Sequence, residues 1–233
     1  MRRKFAYFKL TSTMHMMASV ILALFTSFLY AQDSTGTVID SDGNVYKTIK
    51  IGNQWWTAEN LKVTHYQNGD SIPNVTVKSE WKKLKTGAYC AYDNNENYVN
   101  VYGYLYNWHA VNDIRKIAPV GWHVPTDEEW KNLEGYLGSK AADKLKETGT
   151  THWASPNQSA TNESGFSALP GGFRYYDGSF NSDVGFYAAF WSATEGDNEG
   201  AWYCQLFYGF SIVSRLQYKY CKQSGLSVRL VRD

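Results

Sequence analysis

One stretch constrains the fold more tightly than any other: Gly121-Trp122-His123-Val124-Pro125-Thr126-Asp127-Glu128-Glu129-Trp130. Thr126, with Glu129 three residues on, forms a capping box. Asp127 and Glu128 put negative charge at the positive end of the helix that follows. Trp130, Leu133 and Leu137 recur on one face, and Gly138 supplies the stop. The cap accounts for these carboxylates, so no chemistry is assigned to them. A second short helix is expected over about Lys140 to Glu147. Another is expected over Tyr102 to Ile114, where Leu105, Trp108, Val111 and Ile114 recur at three- to four-residue spacing.

The rest reads as β and loop. Gly36 to Ile51 is a hairpin around Ser41-Asp42-Gly43-Asn44. Asp40, Asp42 and Asn44 lack the full spacing and terminal Glu of a calcium loop, so a turn is the better reading. Ala88–Tyr92, Phe190–Thr194, Ala201–Tyr208 and Ser227–Val231 are strand-like, and the last is expected to pair near the N-terminal hairpin. Trp55 and Trp56 cannot both face one core from a strand; one belongs inside and the other under a loop. From Gly149 to Phe180 no period is visible, which marks a loop region of the kind that carries binding sites. The fold class is therefore α+β, with two to three helices, a small antiparallel sheet and long loops.

Aromatic residues make up 16% of the chain and charged residues only 19%, which excludes a disordered chain. The 23 basic residues nearly balance the 22 acidic ones. Arg2, Arg3, Lys4 and Lys9 lie in the first 31 residues, which hold no acid, so the remainder is mildly acidic. Such a body has no electrostatic footprint for nucleic acid. The basic N-terminus, the apolar run Met14 to Tyr30 and the small Ala31 together read as a secretory signal peptide, with an uncleaved anchor as the alternative. The expected division is a signal peptide over 1–31 and a single domain over 32–233. The protein is then exported to periplasm, cell surface or medium, with no membrane contact beyond the signal segment.

Cys90, Cys204 and Cys221 contain no CxxC pair, which excludes zinc-ribbon and thioredoxin-like readings. In an oxidising compartment Cys204 and Cys221 could form a disulfide, leaving Cys90 as the free thiol. No metal site and no cofactor is expected. GxSxG, HExxH and P-loop motifs are absent; beyond the first 31 residues the histidines are His65, His109, His123 and His152, of which His109 and His123 read as structural. Glu59 and Asp183 could pair as glycosidase carboxylates, but any two acids would serve as well.

WWTAENL, YGYLYNWHAV, APVGWHVPTDEEWKNLE, GFSALPGGFRYYDGSF, FWSATE and the terminal SVRLVRD resemble the Fibrobacter succinogenes major paralogous domain, a family of secreted and surface proteins of Bacteroidetes and Fibrobacteres. The resemblance covers about residues 37–233. It implies a C-type-lectin-like fold akin to the formylglycine-generating sulfatase-modifying domain, whose LPTEAEWE signature HVPTDEEW is similar to. Many relatives carry Cys just before the Pro where Ala118 stands here, and some carry Cys where Leu230 stands, so their disulfide pattern does not carry over. By analogy with the formylglycine-generating relatives, which use a reactive cysteine pair and copper, Cys204 and Cys221 would be the enzyme candidates; a structural disulfide explains them more simply.

The favoured function is a non-catalytic binding module of the cell envelope, recognising carbohydrate or an envelope protein. Nine Trp and 18 Tyr are interleaved with Asn and Gly, and rings stack on sugar faces while amides bond hydroxyls. The candidate ligand-binding residues are Trp153, Asn157, Asn162, Arg174, Tyr175, Tyr176, Asp177 and Trp202. The acid-Pro-Asn and Trp-Asn-Asp triplets of calcium-dependent lectins do not occur. The alternatives are a structural or adhesion protein acting through protein contacts and, less favoured, a formylglycine-generating-like enzyme.

Overall fold

The computed structural model describes residues 34–181, 183–197, 200–217, 219 and 221–233. The signal-like segment and its cut after Ala31 lie outside the described residues. Thr35–Asp233 form one compact unit. Strand β1 (Thr35–Ile39) and β2 (Val45–Ile51) make the expected hairpin, and the Asp40 carboxylate organises its turn by accepting from the Asp42 and Asn44 amides at 3.0 and 2.9 Å. After β3 (Gln54–Thr57) come helix α1 (Lys78–Trp81), β4 (Tyr89–Cys90), α2 (Val99–Tyr102), β5 (Leu105–Tyr106) and α3 (Trp108–Val111). Then follow α4 (Asp127–Leu137), α5 (Ala141–Leu145), β6 (Tyr187–Glu195), β7 (Ala201–Phe207), β8 (Ser214–Gln217) and β9 (Val231–Arg232). The strands form three antiparallel sheets, ordered β1-β2-β3-β9, β4-β5 and β6-β7-β8. The fold is α+β. No helix among the described residues is long and apolar enough to cross a membrane.

Helix α4 starts at Thr126, whose side chain accepts from the Glu129 amide while the Glu129 carboxylate accepts from the Thr126 amide. Trp130, Leu133 and Leu137 form its buried face. The helix expected over 102–114 is instead broken. Gly103 turns the chain at φ 69°, and an added Cβ there would lie 2.6 Å from the Leu61 carbonyl. Leu105 and Tyr106 pair as a strand with Cys90 and Tyr89, and helix resumes only at Trp108, capped by the Asn107 side chain. Strand β9 pairs with β3, Trp56 facing Val231, so the C-terminus does join the sheet that the hairpin begins.

Two large cores lie on opposite faces of the same strands. Trp191, Ala201 and Tyr203 point into one, while Ala188, Phe190, Cys204 and Leu206 point into the other with Trp130, Leu133 and Phe166. Trp56 is buried in the second core; Trp55 is half-buried against the first, with the Arg232 guanidinium 5.5 Å from its ring. The proposed Cys204–Cys221 disulfide does not form. Cys204 lies in the second core and Cys221 in the first, so the β6–β7 sheet stands between them. The Ala201 amide donates to Cys221 Sγ at 3.1 Å, and Sγ donates to the Ala201 carbonyl at 3.2 Å.

Candidate functional site

An open cleft of about 620 Å³ is lined by Tyr92, Asp93, Tyr98, Phe180, Asn181 and Val184. One wall is the turn-rich segment 91–98. Asp93 and Asn94 both adopt left-handed backbone, φ 52° and 54°, a region that Asp and Asn enter more readily than other side chains and that clusters at functional sites. Asn95 braces the segment by accepting from the Asn97 amide, and Asn94 Nδ2 donates to the Thr76 carbonyl at 3.2 Å. The opposite wall is made by Phe180, Asn181 and Val184. The Tyr92 hydroxyl joins the walls: it donates to the Asn181 carbonyl and accepts from the Asp183 amide at 3.2 Å. The Tyr92 ring meets Tyr98 at 5.7 Å and Phe180 at 5.3 Å, both near edge-to-face. Tyr98 and Phe180 are half-buried, leaving part of each ring open to solvent, whereas Asp93 and Asn181 are exposed.

Arg174 builds this cleft without lining it. Its guanidinium is fully buried between the rings of Trp81 (4.3 Å) and Phe180 (4.9 Å). It donates to the carbonyls of Gly178, Val75 and Thr76 at 3.1, 2.7 and 2.9 Å. It thus fixes Phe180 from behind and holds the same Thr76 carbonyl that Asn94 grips from the other wall. Two glycines permit the close approach: a Cβ on Gly178 would sit 2.5 Å from the Lys78 carbonyl, and one on Gly172 would sit 2.7 Å from the Tyr92 ring. Beside the cleft, Asp183 is 9% exposed, and its Oδ2 has no hydrogen-bond partner among the described residues. Burial pushes its carboxyl up against the opposing bond from Tyr175.

The expected ligand-binding residues do not assemble into one site. Arg174 is corrected from ligand contact to scaffold because every direction of its fork meets a backbone carbonyl. Trp153 is buried in the second core with its indole N–H on the Ala168 carbonyl, and Asn157 is buried with Nδ2 on the carbonyls of Glu147 and Gly149; neither presents a face to a ligand. Asn162 is half-buried and spends its amide on Ser167. Trp202 is half-buried on β7 opposite Gln217. Tyr175, Tyr176 and Asp177 belong to the turn that leads from Arg174 to Phe180. Tyr175 packs on Phe173 at 4.7 Å, Tyr176 is exposed, and Asp177 accepts from Ser179 and pairs with Lys78 at 3.2 Å. The Ser179 bonds, with Lys78, hold the Asp177 carboxyl down at about 2.

The residues missed by sequence are Tyr92, Asp93, Tyr98, Phe180 and Asn181. The one signal for them was Asp93-Asn94-Asn95, a run of residues tolerant of left-handed backbone. Glu59 lies elsewhere, in a groove of about 220 Å³ with Lys62 and His152, and its carboxylate accepts from the Lys47 amide at 2.7 Å; it shares no cleft with Asp183. A copper site made by two cysteine sulfurs does not fit, since Cys204 and Cys221 face different cores and burial pushes the Cys204 thiol far up.

No curated protein and no solved structure matches the chain. The model of the Fibrobacter succinogenes major domain matches residues 49–232, and the chain belongs to that family.

Proposed function

We propose that this chain is an exported, non-catalytic glycan-binding module of the cell envelope, with a C-type-lectin-like architecture. The observation that carries the reading is the cleft: two half-open rings, Tyr98 and Phe180, flank the exposed polar side chains of Asp93 and Asn181. Ring faces offer stacking to the C–H face of a sugar, and the carboxylate and amide accept and donate to its hydroxyls. The walls are held by buried side chains rather than by the ligand, so binding orders little of the protein. Buried thiols with raised pKa values, Cys90 at about 11 among them, disfavour a cysteine enzyme of the formylglycine-generating type. The lectin-like architecture is supported by the capped helix, the loop-rich second half and the return of the C-terminal strand to the N-terminal sheet. Export is supported by the signal-like N-terminus.

The test is binding of the full chain to a broad glycan array. Specific binding that Tyr98→Ala or Phe180→Ala reduces at least tenfold, with the thermal melt retained, establishes the module and its face. Binding that both variants leave untouched refutes the cleft. A second reading, adhesion through protein contacts, is favoured by the exposed Ile39 and Val120 at a groove of about 350 Å³ beside edge strand β1; pull-down from envelope extract tests it.

A further inference from the structure

Resting on the glycan reading, the structure assigns the cleft to sugars that carry no negative charge: neutral and amino sugars enter, and uronates and phosphorylated or sialylated sugars are rejected. Among the six lining residues the one charged side chain is the Asp93 carboxylate, and among the described residues it has no ion-pair partner. Two cations close to the walls are engaged elsewhere. Arg174 lies behind Phe180 with Nε, Nη1 and Nη2 each on a backbone carbonyl, and Lys78 pairs with Asp177. An incoming carboxylate or phosphate therefore meets Asp93, and none of the six lining residues offers a guanidinium or ammonium to receive it. A second carboxyl, Asp183, is buried directly beside the lining residue Val184 and offers no compensation.

The hydrogen-bonding inventory points the same way. Anionic Asp93 is an acceptor only, suited to a pair of sugar hydroxyls or to an ammonium. Asn181 adds a donor and an acceptor. The left-handed backbone at Asp93 and Asn94 keeps the carboxylate on the rim, in a segment braced by Asn95 and by the Thr76 carbonyl.

The experiment is an array printed with matched neutral, amino and carboxylate members of the same oligosaccharide series, probed with the full chain, Asp93→Asn and Tyr98→Ala. Asn tolerates left-handed backbone, so Asp93→Asn retains the fold. The expected result is at least about tenfold preference for neutral or amino members over carboxylates, close to 1.4 kcal/mol. In Asp93→Asn that preference falls below about threefold, and in Tyr98→Ala binding is lost throughout. Carboxylate members bound as tightly as neutral ones, and lost in Tyr98→Ala, would overturn the assignment of charge while leaving the cleft a glycan site. A preference that Asp93→Asn leaves unchanged overturns it as well. No binding to any member overturns the glycan reading itself, and binding indifferent to Tyr98→Ala overturns the cleft as its site and this assignment with it.

Discussion

Two buried arginines show how single residues organise this molecule. Among the described residues neither Arg174 nor Arg229 has a buried carboxylate partner. Each instead satisfies backbone carbonyls of loops and a strand end: Arg174 takes Val75, Thr76 and Gly178, while Arg229 takes Thr57 at the end of β3, Phe166 and Ser167 and the Asn60 side chain. Aromatic rings complete both sites, with Arg229 4.5 Å from Phe166. Burial lowers the Arg229 guanidinium below its ordinary value. A methionine in place of either keeps the ring contacts and strips buried carbonyls of their donors, which costs about 3 kcal/mol or more. The two differ in consequence. Arg174→Met releases Phe180 and the Thr76 carbonyl and is expected to weaken the proposed glycan binding more than tenfold even well below its melting temperature. Arg229→Met loses comparable stability in urea unfolding and leaves cleft affinity unchanged. Equal effects on affinity would show that Arg174 only stabilises and does not position.

At the scale of elements, Glu129 ties helix to sheet. Its Oε2 completes the α4 cap, and its Oε1 accepts from His123 Nε2 at 2.8 Å and from β3 through Gln54 Nε2 at 3.0 Å. Burial pushes the Glu129 carboxyl up, but the bonds from His123 and Thr126 outweigh it and hold it at about 2; the bond to Glu129 raises His123 above its ordinary 6.5. The depressed carboxyl contributes stability that is present above its ordinary 4.5 and is lost as pH falls toward 2. The raised imidazole contributes stability that is fully present below 6.5 and is lost as pH rises through its folded value. Glu129→Gln is therefore expected to cost about 1 kcal/mol, the cap included, with the gap from the parent widest between pH 4.5 and 6.5 and narrower on both sides. Urea unfolding at pH 3, 5.5 and 8 measures it; a gap flat with pH overturns the coupling. This helix was legible in sequence because its cap is written within four consecutive residues. The segment 102–114 was not, because Leu105 and Tyr106 answer to Tyr89, Cys90 and Leu226 and not to their own periodicity. The cleft was not legible either: segment 91–98 and the residues Phe180, Asn181 and Asp183 are joined by Tyr92 and by an arginine that the sequence offers as a loop residue.

Across the whole molecule, the strands β3, β6 and β7 serve two cores at once, which is why stretches such as Phe190-Trp191-Ser192 are buried on both faces and do not alternate polar with apolar. Rings fill both cores, from Trp108 and Trp191 on one side to Trp56, Trp130, Trp153, Phe166 and Phe190 on the other. This arrangement decides the cysteine question. A bridge closing the short loop from Cys204 to Cys221 would add about 3 kcal/mol by restricting the unfolded chain. For a chain of this size, losing that amount would lower the melting temperature by roughly 6–12 °C. With the thiols on opposite faces of the β6–β7 sheet, no such contribution exists. Protein purified without reductant is expected to melt within about 1 °C of the same protein in excess dithiothreitol, and Cys204 is expected to react with a thiol reagent only on unfolding, since burial both hides it and raises its pKa. A fall of more than about 5 °C on reduction would mean that the strand order separating the two sulfurs is wrong, and with it the division of the protein into two cores.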